Sequence, residues 1–363
     1  MRADRVLLIE PRGFCAGVEA AVKALAWMVV LHPPPVYCVH EVVHNRTVAR
    51  RFRDLGVVFV GDVTDVPQGA TVMLSAHGTA PRAAARVARE AAVVVDAVCP
   101  LVAKVHQEMR VRAQFGYDLV YVGHDGHDET VGALGVRPGD VRLVESARDV
   151  DGIVWDDTRP VALLAQTTLA VDEWRAVERA VRARAGQVWT PQRADICYAT
   201  TNRQQAVRDV AGSCDAMVVV GSDTSANTRA LTDVAERAGC PVVVRVDDAD
   251  ELPAVSVGRV GVTSGASAPE DALCRVVDRL AVGATVETVS ARTEDEFFPL
   301  PPPIRRAVKA ALRAGAIPPQ LRWAAADDRA VSAADLLDAV ADLVNGRARG
   351  SPGVAPSVMS PVS

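Results

Sequence analysis

Aromatic residues are scarce in this chain: Phe, Trp and Tyr make up 4% of its 363 residues, and the formal net charge is −5. With few rings to stack bases and no dominant basic stretch, the composition argues against nucleic-acid binding. Long apolar runs are missing too. The longest, Ala24 to Leu31, falls far short of the roughly 20 residues that span a bilayer. Val6-Leu-Leu-Ile9 is too short for the apolar region of a secretion signal and runs straight into Glu10 and Pro11. Neither a membrane protein nor an exported one is expected. The seven cysteines are therefore read as belonging to a reducing cytoplasm, where thiols bind metals or stay reduced. Nucleotide signatures are also absent, since no Gly-x-Gly-x-x-Gly follows the first apolar run and no Gly-x-x-x-x-Gly-Lys-Ser/Thr occurs anywhere. His127-Asp-Glu129 begins like a zinc-deaminase signature, yet no Pro-Cys-x-x-Cys follows it.

What the chain does have is repeated alternation of short apolar runs with helical runs rich in Ala, Arg and Glu. Strand-like runs fall near Val6, Val36, Val57, Thr71 and Val93, then Leu119, Arg142 and Ala162, then Met217, Val242 and Val260. Helical runs include Val18 to Val30, Leu101 to Gln114, Asp172 to Ala185 and Pro269 to Ala281. Such alternation predicts an α/β fold with parallel sheets. Three small lobes are expected, 1–97, 98–195 and 196–303, arranged with pseudo-threefold symmetry around a shared centre. A C-terminal extension, 304–363, is expected to be an appendage with helices near Arg305 to Ala314 and Ala333 to Val344, the second opened by Ser332 and Asp335 as a capping pair. From Gly350 onward, Ser, Pro and Gly predict disorder.

Each lobe supplies one cysteine of a distinctive kind. Cys15, Cys99 and Cys197 stand just beyond strand-like runs, among glycine, proline or charged neighbours. Cys38, Cys214, Cys240 and Cys274 sit in or beside apolar sequence and read as packing residues. Three thiolates converging from strand ends suit a metal centre. In a [4Fe–4S] cubane, three protein ligands leave the fourth iron free to take a substrate oxygen.

Polar groups also cluster at strand ends, where open α/β sheets bind ligands. His44 follows the run at Val36, His77 the run at Thr71, and His127 with Glu129 the run at Leu119. Imidazole N–H groups can donate to phosphate oxygens. Gly221-Ser-Asp-Thr-Ser225-Ala-Asn227 and Gly265-Ala-Ser267-Ala-Pro269 each join a strand to a helix start, a geometry that points backbone N–H groups at an anion. Two such loops point to a phosphate or diphosphate.

Pro11-Arg-Gly-Phe-Cys15-Ala-Gly17, His40-Glu-Val-Val-His44-Asn45, Ser75-Ala-His77-Gly78, Cys99-Pro-Leu-Val102, Gly123-His-Asp-Gly-His127-Asp-Glu129, Gln166-Thr167-Thr168-Leu169, Asp195-Ile-Cys197 through Gln204, and Gly265-Ala-Ser267-Ala-Pro269 occur in that order. Together they resemble the 4-hydroxy-3-methylbut-2-enyl diphosphate reductase family over about residues 4–304. The resemblance implies a three-lobed fold around one [4Fe–4S] cluster per chain, with Cys15, Cys99 and Cys197 as its ligands. It implies that His44, His77, His127, Ser225, Asn227 and Ser267 hold the diphosphate, that Thr167 lies near the substrate hydroxyl and that Glu129 donates the proton. A ferredoxin or flavodoxin-type electron donor and the closing step of the methylerythritol phosphate isoprenoid pathway are implied as well.

The chain departs from the family pattern at several positions. Ala226 stands where a serine is usual, Val98 and Ala103 replace threonines, Ala170 follows Leu169 where serine is common, and Thr130-Val131 replaces a stretch that often carries a second glutamate. None touches a proposed cluster ligand or the proton donor. Two other classes remain open: a diverged paralogue that acts as an iron–sulfur redox sensor, and a zinc-dependent phosphoester hydrolase built on the Cys and His set.

Overall fold

The computed structural model describes residues 1–156, 158–192, 195–290 and 292–349. In chain order the elements are β1 (Arg2–Glu10), α1 (Ala16–Leu31), β2 (Val36–Val39), α2 (Arg46–Asp54), β3 (Val57–Val60), β4 (Thr71–Leu74), α3 (Pro81–Glu90), β5 (Val93–Asp96), α4 (Pro100–Gln114), β6 (Asp118–Val122), α5 (Asp128–Leu134), β7 (Val141–Val144), β8 (Val161–Ala165), α6 (Val171–Arg182) and β9 (Val188–Trp189). They continue with α7 (Tyr198–Ala211), β10 (Ala216–Val220), α8 (Ala226–Arg237), β11 (Val243–Val246), β12 (Ser256–Ser264), α9 (Glu270–Leu280), β13 (Thr285–Ser290), α10 (Pro302–Arg313), α11 (Arg322–Ala326) and α12 (Ala333–Arg349). Three parallel sheets result, ordered β3-β2-β4-β5, β7-β6-β8-β9 and β11-β10-β12-β1-β13. The central strands β8 and β10 are buried at every position, as expected of parallel strands covered by helices on both faces. Among the described residues no helix is long and apolar enough to cross a membrane.

The expected unit 1–97 is corrected at its first strand. β1 pairs with β12 and β13, placing Val6 opposite Val260 in one core with Val218 and Val262. The reason is a change of lobe within a single βα step: α1 packs instead on the sheet of β2 to β5, burying Leu25 and Met28 with Val36, Met73 and Val95. The same crossover happens twice more. After β5 the chain enters α4, whose Val105 and Met109 pack on Leu119 and Tyr121 of β6. After β9 it enters α7, whose Val207 and Val210 pack on Ile9 of β1 and Met217 of β10.

The C-terminal segment is not an appendage. Ile304 and Val308 of α10, with Leu336, Leu337 and Val340 of α12, share one core with α1. This explains why α1 is apolar almost all round, since one side faces the sheet and the other faces this segment. Lys23 is nearly enclosed there, its ammonium donating to Asp328 O (2.9 Å) and Val331 O (3.2 Å) and pairing with Asp328 Oδ1 at 3.0 Å. The expected cap is present: Ser332 Oγ accepts from Asp335 N–H at 3.0 Å and donates to its carboxylate at 2.7 Å. The disorder expected from Gly350 onward lies outside the described residues.

Three helices and one strand were not legible in the sequence pattern. α2 and α5 are short, α2 starting directly after the motif that ends at Asn45 and α5 within the one that ends at Glu129, α11 spans five residues, and β13 forms the sheet edge with mostly exposed side chains. Among the packing cysteines, Cys38, Cys214 and Cys240 are buried as expected, whereas Cys274 is exposed because it falls on the outer face of α9.

Because Leu336 is fully buried between α12 and α1, Leu336→Ala should lower stability by about 2–5 kcal/mol. Urea unfolding under anaerobic conditions measures this, and an unchanged midpoint would mean that the C-terminal segment contributes no core.

Candidate active site

All three crossovers end at the same point in the molecule. Cys15, Cys99 and Cys197 are the residues immediately before α1, α4 and α7, so each thiol sits at a helix N-terminus, where the peptide dipoles favour negative charge. Each amide is held alike: Cys15 N–H donates to Ala266 O (3.1 Å), Cys99 N–H to Ala76 O (3.0 Å) and Cys197 N–H to Thr167 O (2.9 Å). Those three acceptors lie two residues past Ser264, Leu74 and Ala165, the last residues of β12, β4 and β8. The pseudo-threefold arrangement therefore extends to single hydrogen bonds.

One pocket is lined by Cys15, Cys99, Cys197, His44, His77, His127, Glu129, Thr167, Ser225, Asn227 and Ser267 together. The structure thus brings every residue singled out from the sequence to one place. Their spacing explains why: His44, His127 and Ser225 are each five residues past the ends of β2, β6 and β10, and His77 and Ser267 each three past the ends of β4 and β12.

The thiols fit a multi-iron centre better than a lone ion. A single tetrahedral metal about 2.3 Å from each sulfur would draw the sulfurs to within roughly 4 Å of one another. Among the described residues, the set of three donor atoms gathered within 4.8 Å is His44, His77 and Asp128, not the thiols. Burial pushes Cys99 and Cys197 up to about 12, with the charge of Cys15 adding to it, so bare thiols here would stay protonated. A bound metal would deprotonate them. Gly17 keeps the space clear, since a Cβ there would lie 2.9 Å from Cys99 Sγ.

Glu129 is buried at 3% exposure on α5. Its Oε1 accepts from Thr167 N–H at 2.7 Å and its Oε2 from Thr167 Oγ1 at 3.1 Å. Burial raises its carboxyl to about 7, against the opposing pull of the Thr167 hydrogen bonds. At neutral pH it is therefore poised to hold or release a proton.

The histidines form a packed group. His44 and His77 stack with ring centroids 3.8 Å apart, and His127 meets His44 edge-on at 4.8 Å. Burial lowers all three, His127 to about 3. Among the described residues, His44 Nε2 and His127 Nε2 are buried without a hydrogen-bond partner, which leaves both free for a ligand. The Asp128 carboxylate lies beside this group, 3.8 Å from His44 Nε2, 3.6 Å from His77 Nδ1 and 3.2 Å from His40 Nδ1.

The third lobe's loops also serve the fold. Ser225 Oγ caps α8 by accepting from Thr228 N–H at 3.2 Å, which leaves its own hydroxyl proton to donate. Asn227 bridges Ala266 N–H (2.8 Å) and Thr200 Oγ1 (3.0 Å), and Ser267 Oγ donates to His44 O at 3.0 Å. Asn45, by contrast, is an N-cap, accepting from Val48 N–H at 3.0 Å.

Sequence reasoning missed Tyr198, Thr200 and Phe298, which also line the pocket. Thr200 was within reach, because it follows Cys197 by three residues, and its N–H donates to Cys197 Sγ at 3.3 Å. Phe298 had no local signal, since it lies in a stretch without helix or strand, distant in sequence from every other residue that lines the pocket.

Residues 6–281 match the family model described as LytB protein. The chain is 44% identical over 308 residues to a 4-hydroxy-3-methylbut-2-enyl diphosphate reductase of Mycolicibacterium paratuberculosis, a match covering 84% of this chain and 93% of that protein. It is 42% identical over 311 residues to the reductase of the same name from Acidothermus cellulolyticus, covering 84% and 92%. Among solved structures it is similar to the E-1-hydroxy-2-methyl-but-2-enyl-4-diphosphate reductase of Plasmodium falciparum, with a TM-score of 0.81 and 30% identity, covering 85% of this chain and 99% of that one. The matched span holds all three lobes' pocket loops and all three crossover cysteines, and on that ground the chain belongs to the LytB family.

Proposed function

We propose that this chain is a 4-hydroxy-3-methylbut-2-enyl diphosphate reductase, acting at the last step of the methylerythritol phosphate isoprenoid pathway in the cytoplasm. The reaction takes two electrons and two protons, removes the allylic hydroxyl as water and yields isopentenyl and dimethylallyl diphosphates. The observation that carries this reading is the pairing in one pocket of a buried carboxyl group poised near 7 with three thiols at helix N-termini.

Cys15, Cys99 and Cys197 would hold a [4Fe–4S] cluster, which when bound supplies electrons and a Lewis-acidic iron not tied to a cysteine. The electrons would come from a ferredoxin or flavodoxin-type donor. Hydroxide is a poor leaving group, so its departure needs a proton at the oxygen. Glu129 holds that proton, and the two hydrogen bonds from Thr167 fix the direction of its carboxyl group. The diphosphate would sit among His44, His77, His127, Ser225, Asn227 and Ser267. The imidazoles are neutral in the free pocket, and an arriving anion favours their protonated forms. Anaerobic purification followed by turnover of the substrate with a chemical reductant tests the reading directly, and a cluster-loaded protein without turnover would overturn it.

Each of Cys15→Ser, Cys99→Ser and Cys197→Ser should abolish the visible cluster absorbance, while Cys38→Ser and Cys274→Ser leave it intact. Full cluster content in any of the first three would sink the ligand set.

Glu129→Gln should retain the cluster and bind substrate nearly normally but lose about a hundredfold or more in rate, because the amide cannot give up the proton. In the unaltered enzyme the rate should fall as pH rises through about 7, where the carboxyl group deprotonates. Undiminished turnover by the variant would place the proton elsewhere.

Ala226 opens α8 in the pocket wall, supplying a backbone N–H but no hydroxyl. Ala226→Ser should lower KM by up to about tenfold, the worth of one neutral hydrogen bond, with kcat nearly unchanged. An unaltered KM would show that this turn does not touch the diphosphate.

A further inference from the structure

One buried charge beside the thiols takes no part in the reaction scheme above. Arg203 lies on α7, six residues after Cys197, and is fully buried. Its Nη1 donates to Gly13 O at 2.8 Å and reaches Ser264 O at 3.5 Å. Gly13 stands two residues before Cys15, so the guanidinium is anchored against the backbone that carries one thiol. The charged partner is Glu294, whose Oε2 lies 3.4 Å from Nη2 and whose other oxygen accepts from Asn202 Nδ2 at 3.5 Å. Among the described residues Arg203 Nε has no partner.

A buried guanidinium is expensive unless nearby negative charge compensates it. One carboxylate at 3.4 Å is a long pairing for an enclosed cation, and further compensation would come from the thiolates once a metal centre deprotonates them. The two charges act on Cys15 with opposite sign: Arg203 favours its thiolate and Glu294 opposes it, although burial is the larger influence. Net charge and neighbouring groups are levers that set the reduction potential of an iron–sulfur centre.

We propose that Arg203 and Glu294 are positioning residues that tune the potential of the centre held by Cys15, Cys99 and Cys197, Arg203 raising it by favouring the added electron and Glu294 lowering it. Glu294 belongs to a strap without helix or strand whose Phe298 lines the pocket, so the same pair also anchors that strap. The proposal rests on the reading of the three thiols as cluster ligands. A purely mechanical clamp would move the potential in neither direction, or in the same direction for both residues.

The test is a redox titration of the anaerobically loaded protein, followed by electron paramagnetic resonance. Glu294→Gln should raise the midpoint and Arg203→Gln lower it, each by about tenfold in the reduction equilibrium, or about 59 mV for one electron. Arg203→Lys, which keeps the charge, should return most of the loss. Intact clusters with unmoved potentials, or shifts of like sign, would overturn the proposal while leaving the ligand set standing. If Arg203→Gln does not fold, Glu294→Gln decides alone: a raised midpoint supports the proposal and any other result overturns it. Failure of the unaltered chain to bind iron and sulfide would overturn the ligand set itself, and the proposal with it.

Discussion

The three hydrogen bonds from the amides of Cys15, Cys99 and Cys197 to the carbonyls of Ala266, Ala76 and Thr167 fix the centre on which the rest of the molecule depends. Each ties the start of one lobe's helix to the loop beyond a central strand of the neighbouring sheet. The chain passes from lobe to lobe through these residues, so the thiols cannot move without moving a sheet against a helix. A centre held at three such junctions needs no dedicated binding domain, because the packing of the lobes itself brings the ligands together.

Desolvation is the second governing influence, and it acts on each group according to its charge type. The closing of three lobes over one pocket raises Glu129 to about 7, lowers the histidines and raises the thiols. A carboxyl group that keeps its proton, imidazoles that stay neutral until an anion arrives, and thiols that ionise only against a metal are three consequences of one burial. Thr167 moderates the effect at Glu129, and its carbonyl also receives the Cys197 amide, so proton donor and thiol share a single support.

The C-terminal segment contributes at a distance. The family match ends at residue 281, yet α10 and α12 complete the core around α1. Since Cys15 is the residue before α1, the rigidity of that helix bears on the position of the thiol. The strap at Glu294 and Phe298 links the same segment to the pocket.

Much of this was legible in the residues. Apolar runs separated by Ala-rich helical stretches gave the parallel-sheet lobes, because strand and helix periodicity are local properties. Ten of the eleven pocket residues could be picked out because thiol, imidazole, carboxyl, amide and hydroxyl groups gathered beyond strand ends are costly unless they face a ligand or cap a helix, whereas Thr167 came only from the family resemblance. Other features were beyond local pattern. β1 reads as the opening of the first lobe, but hydrogen bonding to β12 and β13 assigns it to the third, and such pairing is settled by packing across more than 250 residues of sequence. The tail's helices were visible, whereas their docking on α1 was not, although the unbroken apolar run Ala24 to Leu31 was a trace of a helix covered on both sides. Arg203 falls within the motif that runs from Asp195 through Gln204, and the sequence pattern assigns it no role. Only the tertiary structure, by enclosing it beside Gly13 and Glu294, turns it into a buried cation next to a thiol, because burial is a property of the assembled lobes and not of any segment.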